Sequence, residues 1–261
     1  MLRTRLWTAA VALPAVLLIL VLAPGWFFSI FIGVLGIWGL YEIAGMTGLA
    51  TPAALLILAG AGAVPLLAIL ARGDPGWMMP GAIFAVMLAL VAAVARFGAE
   101  AGPKGLALTL IAAAWVGVLF PYFALLRNLP DGLAMIILML LLVIASDTGA
   151  YFGGTYLGRH RLAPLVSPNK TIEGALAGAV SSVIVGLILR DWLAYRLTWS
   201  AIAILSLLEA ILAQFGDLAG SAVKRSAGVK DSGWIFPGHG GLLDRTCSLV
   251  FACAFTYYFT K

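Results

Sequence analysis

The sequence predicts an all-α, polytopic membrane protein of about nine transmembrane helices, and three observations carry that prediction. Of the 261 residues, 63% are apolar and 30 more are glycine, whereas soluble domains reach only about 45–50% with glycine included. Charged residues make up 10% against about 25% in a soluble domain, too few to solvate even one compact surface. The apolar residues also come in long runs. Ala134-Met135-Ile136-Ile137-Leu138-Met139-Leu140-Leu141-Leu142-Val143-Ile144 is apolar on every side, unlike a transmembrane β-strand, whose faces alternate. Disorder, coiled coils and disulfide scaffolds are excluded on the same grounds. At about 20 residues per span, nine spans use about 180 residues and leave about 80 for all loops, so no independent soluble domain fits. The net charge of +5 is accounted for by topology signals, and nucleic acid is set aside as a partner.

Taken in order, the apolar runs place spans near 6–23, 26–45, 51–71, 77–96, 104–126, 130–152, 172–190, 199–216 and 242–260. Arg3 and Arg5 resemble the basic start of a signal peptide. Leu22-Ala23-Pro24-Gly25-Trp26 is a poor cleavage site, so the first helix is expected to be retained. With the N-terminus inside, Arg3, Arg5, Arg96, Lys104, Arg159, Arg161, Lys170, Lys224, Arg225, Lys230 and Arg245 fall on one side. Only Arg72, Arg127, Arg190, Arg196 and Lys261 fall on the other. The positive-inside rule therefore predicts N-inside, C-outside. Cys247 and Cys253 are six apart, lie on different faces of the last helix and are expected as reduced thiols.

Polar groups are sparse in the first half, so 1–130 reads as scaffold helices and 131–261 as a catalytic region with cytoplasmic loops 153–171 and 217–241. Glu42 and Glu209, inside apolar spans, are expected to bond neighbouring helices. Ser146-Asp147-Thr148-Gly149-Ala150-Tyr151 puts an acid at the inner end of the sixth span, with Tyr151 one turn on. A carboxylate at that depth is costly and usually faces a cavity, although an Asp that merely ends a helix is the alternative. Ser167-Pro168-Asn169-Lys170-Thr171-Ile172-Glu173-Gly174 precedes the next span. Donors at a helix N-terminus there suit a phosphate, while capping plus a lysine snorkelling to lipid headgroups would also account for them.

The densest stretch runs from Gly216-Asp217 through Ser221, Lys224 and Arg225 to Lys230-Asp231, Pro237-Gly238-His239-Gly240-Gly241 and Asp244-Arg245. A helix over 217–226 would align Asp217, Ser221 and Lys224 on one face. Hard carboxylates bind Mg²⁺ together with substrate phosphates, while Lys and Arg offset the remaining phosphate charge. A basic loop gripping anionic lipid explains the cations and leaves Asp217, Asp231 and Asp244 unexplained. Gly240 and Gly241 allow close backbone approach to a ligand. For His239, a structural hydrogen bond and a role as donor or proton shuttle stand side by side.

These blocks resemble the phosphatidate cytidylyltransferase (CDP-diacylglycerol synthase) family, most closely over about 140–255. The resemblance implies CTP plus phosphatidate giving CDP-diacylglycerol and pyrophosphate at the cytoplasmic face of a cell inner membrane. It implies Mg²⁺, with a second cation also allowed. Asp217, Asp244 and Asp147 are implied as metal ligands. Lys224, Arg225 and His239 join the two principal aspartates in the catalytic set. Ser167, Asn169, Lys170, Thr171, Glu173, Ser221, Lys230, Asp231, Gly240, Gly241, Arg245 and Tyr151 are implied to hold substrate. A homodimer rests on the resemblance alone. One departure stands out: where the family pattern continues Asp-Arg-x-Asp, this chain has Asp244-Arg245-Thr246-Cys247, a soft thiol that Mg²⁺ does not favour. The alternatives are a CTP-dependent transferase acting on another lipid phosphate, or a chain impaired by Cys247. A transporter should instead show inverted repeats with midplane sites.

Overall fold

The computed structural model describes residues 10, 14–47, 59–60, 62–63, 66, 76, 78–97, 107, 110–111, 113–235 and 240–261. These are overwhelmingly helical. After helical residues at 14–22 come α1 (Gly25–Thr47), α2 (Met78–Phe97), a π-helical turn pair (Ala113–Leu119), α3 (Pro121–Arg127) and α4 (Gly132–Leu157). They are followed by α5 (Ile172–Leu193), α6 (Trp199–Ser226) and α7 (Leu243–Thr260). Among the described residues, four helices are long and apolar enough to cross a membrane: Gly25–Met46, Gly132–Leu157, Ile172–Leu193 and Trp199–Ser226. They coincide with the spans expected at 26–45, 130–152, 172–190 and 199–216. Most of the span expected at 51–71, and parts of those at 6–23 and 104–126, lie outside the described residues.

Side-chain exposure agrees with a lipid surround. On α5, Leu176, Val180, Ile184 and Ile188 form an exposed stripe of large apolar groups, one per turn. Water would penalise such a stripe, whereas a bilayer solvates it.

Two features depart from the expected outline. The loop 153–171 is not irregular: α4 continues to Leu157, and Arg161–Ala163 (β1) pairs antiparallel with Ser167–Thr171 (β2), Arg161 opposite Thr171 and Ala163 opposite Ser167. The all-α class stands, with one short two-stranded hairpin added between α4 and α5. A two-stranded ribbon leaves each strand an edge without ladder bonds, so Pro168 is tolerated. The loop expected at 217–241 also starts late, because α6 runs on to Ser226. Ala, Lys and Arg at its end are good helix formers that need no membrane to stay helical.

The chain forms two compact units, 1–128 with 226–245 and 129–225 with 246–261. In the first, Phe28, Ile32, Leu40, Ile43, Val116 and Phe120 are buried. Arg127 closes the helix at 14–22 by donating to the carbonyls of Leu20 (3.2 Å) and Ala23 (3.4 Å). In the second, α4 and α5 touch through glycines four apart, Gly149 and Gly153 of α4 against Ala177 and Ser181, and Gly174 and Gly178 of α5 against Ala150 and Ser146. A Cβ at Gly153 would collide with that of Ala177, and one at Gly178 would sit 2.6 Å from the Ser146 carbonyl. Small residues let the two backbones approach directly. Gln214 of α6 donates to the Ala175 carbonyl of α5 at 3.1 Å. Glu209 of α6 accepts from Thr256 of α7 at 3.1 Å, the interhelical bond expected of a membrane-buried acid. Arg190 ties the α5–α6 connection by donating to the Leu197 carbonyl (2.8 Å) and the Tyr195 carbonyl (3.1 Å). Cys247 and Cys253 are both buried and form no disulfide.

Candidate functional site

In the unit of 129–225 and 246–261, a cavity of about 540 Å³ opens among the ends of α4, α5 and α6 and the hairpin. Helical periodicity explains who lines it. Asp147, Tyr151, Gly154 and Thr155 follow one face of α4, while Gln214 and Asp217 are one turn apart on α6. The hairpin register brings Arg161 opposite Thr171, and both join Asn169 and Lys170 in the lining. Lys170 Nζ lies 2.5 Å from Asp217 Oδ2, with the two side chains 28% and 45% exposed. Two carboxylates, two cations and two carboxamides thus share one half-open space, able to take an anion and a hard cation together.

Thr171 caps α5. Its backbone is extended, and its hydroxyl accepts from the Gly174 N–H at 3.1 Å, so strand passes into helix without a break. Glu173 has a different post. It accepts from the backbone N–H groups of Arg159 (3.0 Å) and His160 (3.2 Å), and His160 Nδ1 is 2.6 Å from its Oε1. That carboxylate pins the segment entering the hairpin and is not in the cavity lining, and neither is Ser167. Ser221, Lys224 and Arg225 follow Asp217 on α6, which is helical as their spacing requires.

The other half of the densest motif belongs to the unit of 1–128 and 226–245: Lys230, Asp231, Gly240, Gly241, Asp244 and Arg245. His239 and Gly238 lie outside the described residues. Here carboxylates organise backbone. Asp244 Oδ2 accepts from the N–H groups of Ser232 and Gly241, both at 2.9 Å. Glu42, 5% exposed, accepts from Trp38 Nε1 (3.2 Å) and from the N–H groups of Leu242 (2.8 Å) and Leu243 (3.0 Å). It therefore sits on the orphan donors that open α7, where a negative charge is favoured. The Ser232 hydroxyl bridges the acids, 2.9 Å from Glu42 Oε2 and 3.1 Å from Asp244 Oδ2. Gly240 has φ +85°, in the left-handed region, and a Cβ there would crowd the Asp244 carboxylate. The Gly241 N–H is taken by Asp244.

Sequence reasoning missed three of these contributors. Gln214 had a signal, one helical turn before Asp217. Arg161 was counted only as a topology charge, and nothing before the hairpin register links it to Thr171. For Glu42 the bond to a neighbouring helix was expected, but its seat under the 240–243 backbone joins residues 200 apart in sequence.

A helical chain with membrane-length apolar helices, and with its acids and bases gathered at helix ends, has the build of an integral-membrane protein handling charged groups. The model of the cytidylyltransferase family matches residues 3–261, and the chain belongs to that family. It is 43% identical over 145 residues to a phosphatidate cytidylyltransferase of Staphylococcus haemolyticus, covering 56% of this chain and 55% of that one. A Synechocystis protein of the same name is 48% identical over 134 residues (51% and 45%), and one of Bacillus subtilis 40% over 149 (57% and 55%). The matched stretch spans about half the length of these relatives.

Proposed function

We propose that the chain transfers the cytidylyl group of CTP to phosphatidate, yielding CDP-diacylglycerol and pyrophosphate. The observation that carries this reading is the cavity in which Asp147 and Asp217 share a lining with Lys170, Arg161 and Asn169, in a chain of the cytidylyltransferase family. A lipid phosphate oxygen bonds to the α-phosphorus as the bond from that phosphorus to the bridging oxygen of the β-phosphate breaks, and pyrophosphate leaves with the electron pair. A phosphate monoester is already largely anionic at neutral pH, so no general base is required. The obstacle is repulsion between two anions. Lys170, released from Asp217, and Arg161 offset it at the reacting phosphates, and Asn169 orients an oxygen. Ser221, Lys224 and Arg225, further along α6, hold further phosphate charge.

The donor chemistry of the cavity fits Mg²⁺. Its acids, Asp147 and Asp217, are hard oxygen donors, and substrate phosphates would complete the coordination. Asp217 and Asp147 would hold the ion. When bound, the ion neutralises phosphate charge and polarises phosphoryl oxygens. The same reading includes nine spans with N-inside, C-outside orientation in a bacterial inner membrane, a cytoplasmic active face, a second cation and a homodimer.

The test is pyrophosphate release from CTP by the purified chain in micelles, with phosphatidate and with other lipid phosphates, at several Mg²⁺ concentrations. Phosphatidate- and Mg²⁺-dependent release is expected. Absence of release refutes the enzyme reading, and preference for another lipid phosphate refutes the assigned acceptor.

A further inference from the structure

A smaller cavity, about 240 Å³, is lined by Asp131 at the start of α4, by Trp192, Tyr195 and Arg196 around the end of α5, and by Thr260 and Lys261 at the end of α7. It lies within the same unit as the Asp147–Asp217 cavity, at the other end of the same helices. Asp131 precedes Asp147 by 16 residues and Trp192 follows Thr171 by 21, which is about 24 Å along α4 and about 32 Å along α5 at 1.5 Å per residue. That separation is close to the roughly 30 Å of a bilayer's hydrocarbon core, and both helices are long and apolar enough to cross one.

This end has the chemistry of a headgroup layer. Trp192, Tyr195 and Trp199 are 74%, 57% and 54% exposed, and such rings anchor helices at the membrane–water interface. The connection after α5 is held in place, because Arg190 donates to the Leu197 and Tyr195 carbonyls and the Leu197 N–H to the Ala194 carbonyl at 2.8 Å. On that connection Arg196 meets Asp131 Oδ2 through Nη1 at 3.0 Å and the Tyr195 hydroxyl through Nε at 3.1 Å. Asp131 thereby draws the guanidinium to the cavity. Lys261 Nζ lies 5.8 Å from the centre of the Tyr257 ring. Among the described residues, neither Arg196 Nη2 nor Lys261 Nζ donates to a protein acceptor.

We propose that this cavity holds the phosphodiester of a glycerophospholipid from the leaflet opposite the Asp147–Asp217 cavity. Arg196 and Lys261 bind its phosphate oxygens, and Trp192 and Tyr195 flank its glycerol backbone. Charge complementarity and the aromatic rim select this occupant: an acyl chain has nothing to offer Arg196 and Lys261, and a soluble anion has no use for exposed rings. The site does not depend on the proposed reaction.

The test uses the full chain, delipidated in detergent, with phosphatidylglycerol as probe and bound lipid counted by native mass spectrometry. Lipid held elsewhere is common to wild type and variants, so their difference reads this cavity. Arg196→Gln and Lys261→Gln should each weaken phosphatidylglycerol about fivefold, and together about twentyfold, as removal of basic residues beside an anionic headgroup does. Arg196→Lys should keep most of the affinity. Diacylglycerol, with the same tails and no phosphate, should bind wild type and double variant alike, and millimolar glycerol 3-phosphate should leave the bound phospholipid in place. Undiminished phosphatidylglycerol in the double variant would overturn the proposal, as would equal affinity of wild type for diacylglycerol and phosphatidylglycerol. Displacement by glycerol 3-phosphate would overturn it too, assigning the cavity to a soluble phosphate. Size-exclusion profiles identify any variant that fails to fold, and Lys261→Gln, at an exposed position, keeps the comparison decisive should Arg196→Gln do so.

Discussion

Glu42 and Asp244, in the unit of 1–128 and 226–245, lie under backbone donors, whereas Asp147 and Asp217, in the unit of 129–225 and 246–261, line a half-open cavity. Glu42 and Asp244 together collect the N–H groups of Ser232, Gly241, Leu242 and Leu243. Asp217 pairs with another side chain, Lys170, and shares its cavity with Asp147. The first arrangement stores the carboxylates in satisfied, largely immobile positions. The second leaves an ion pair that an incoming phosphate and cation can exchange at modest cost, since a half-exposed pair is weakly bound. Similar residues within one motif thus divide between building a loop and meeting a ligand, and burial with backbone partners distinguishes the two roles.

Substitutions can break or sharpen that contrast. The largest effect is expected at the cavity: Asp217→Asn should lower kcat about 10²–10³-fold, as for loss of a charge-stabilising group, with the detergent melting temperature nearly unchanged. A large drop in melting temperature would move Asp217 to the structural class. Glu42→Ala should do the reverse. Each buried donor left without its partner costs about 1–3 kcal/mol, so the chain should melt markedly lower and the 226–242 segment should be cut quickly by protease. Glu42→Gln should recover part of that loss, and a wild-type melting curve for Glu42→Ala would contradict the anchoring role.

A smaller effect is expected at Cys247, one turn beyond Asp244 on α7 and 5% exposed. Cys247→Asp restores the second carboxylate of the family pattern, and turnover should rise several-fold at limiting Mg²⁺ and less at saturation. Unchanged activity at every Mg²⁺ level would show that the thiol does not weaken metal binding. The smallest effect is predicted for Glu173→Gln, which keeps an acceptor for the Arg159 and His160 N–H groups. Turnover should stay near wild type, and a loss comparable to that of Asp217→Asn would return Glu173 to the substrate-binding set.

Much of this was legible without coordinates because the bilayer imposes simple rules. A run of about 20 apolar residues must be helical when every backbone group has to find its partner internally, hence the agreement at 26–45, 130–152, 172–190 and 199–216. The 3.6-residue period put Asp217, Ser221 and Lys224 on one face, and α6 carries them so. The hairpin was not legible: its five-residue strand, Ser167–Thr171, holds Pro168, has no apolar residue besides it and buries only Thr171, so it shows no alternation to detect. Nor could spacing assign Glu173, whose partners lie 13 and 14 residues earlier across a turn.

The sequence by itself determined the medium, the helices and the family, since these depend on composition, periodicity and local motif. Only the tertiary structure decided which carboxylates serve the backbone and which face a cavity. Asp217, Asp231 and Asp244 look alike in sequence, one acid each among lysines, arginines and glycines. Their roles diverge because Asp244 meets two backbone N–H groups from 232 and 241, Asp217 meets Lys170 from the hairpin, and Asp231 borders an aromatic cup completed by a helix some 190 residues earlier. Such partners converge through packing, which no local pattern encodes.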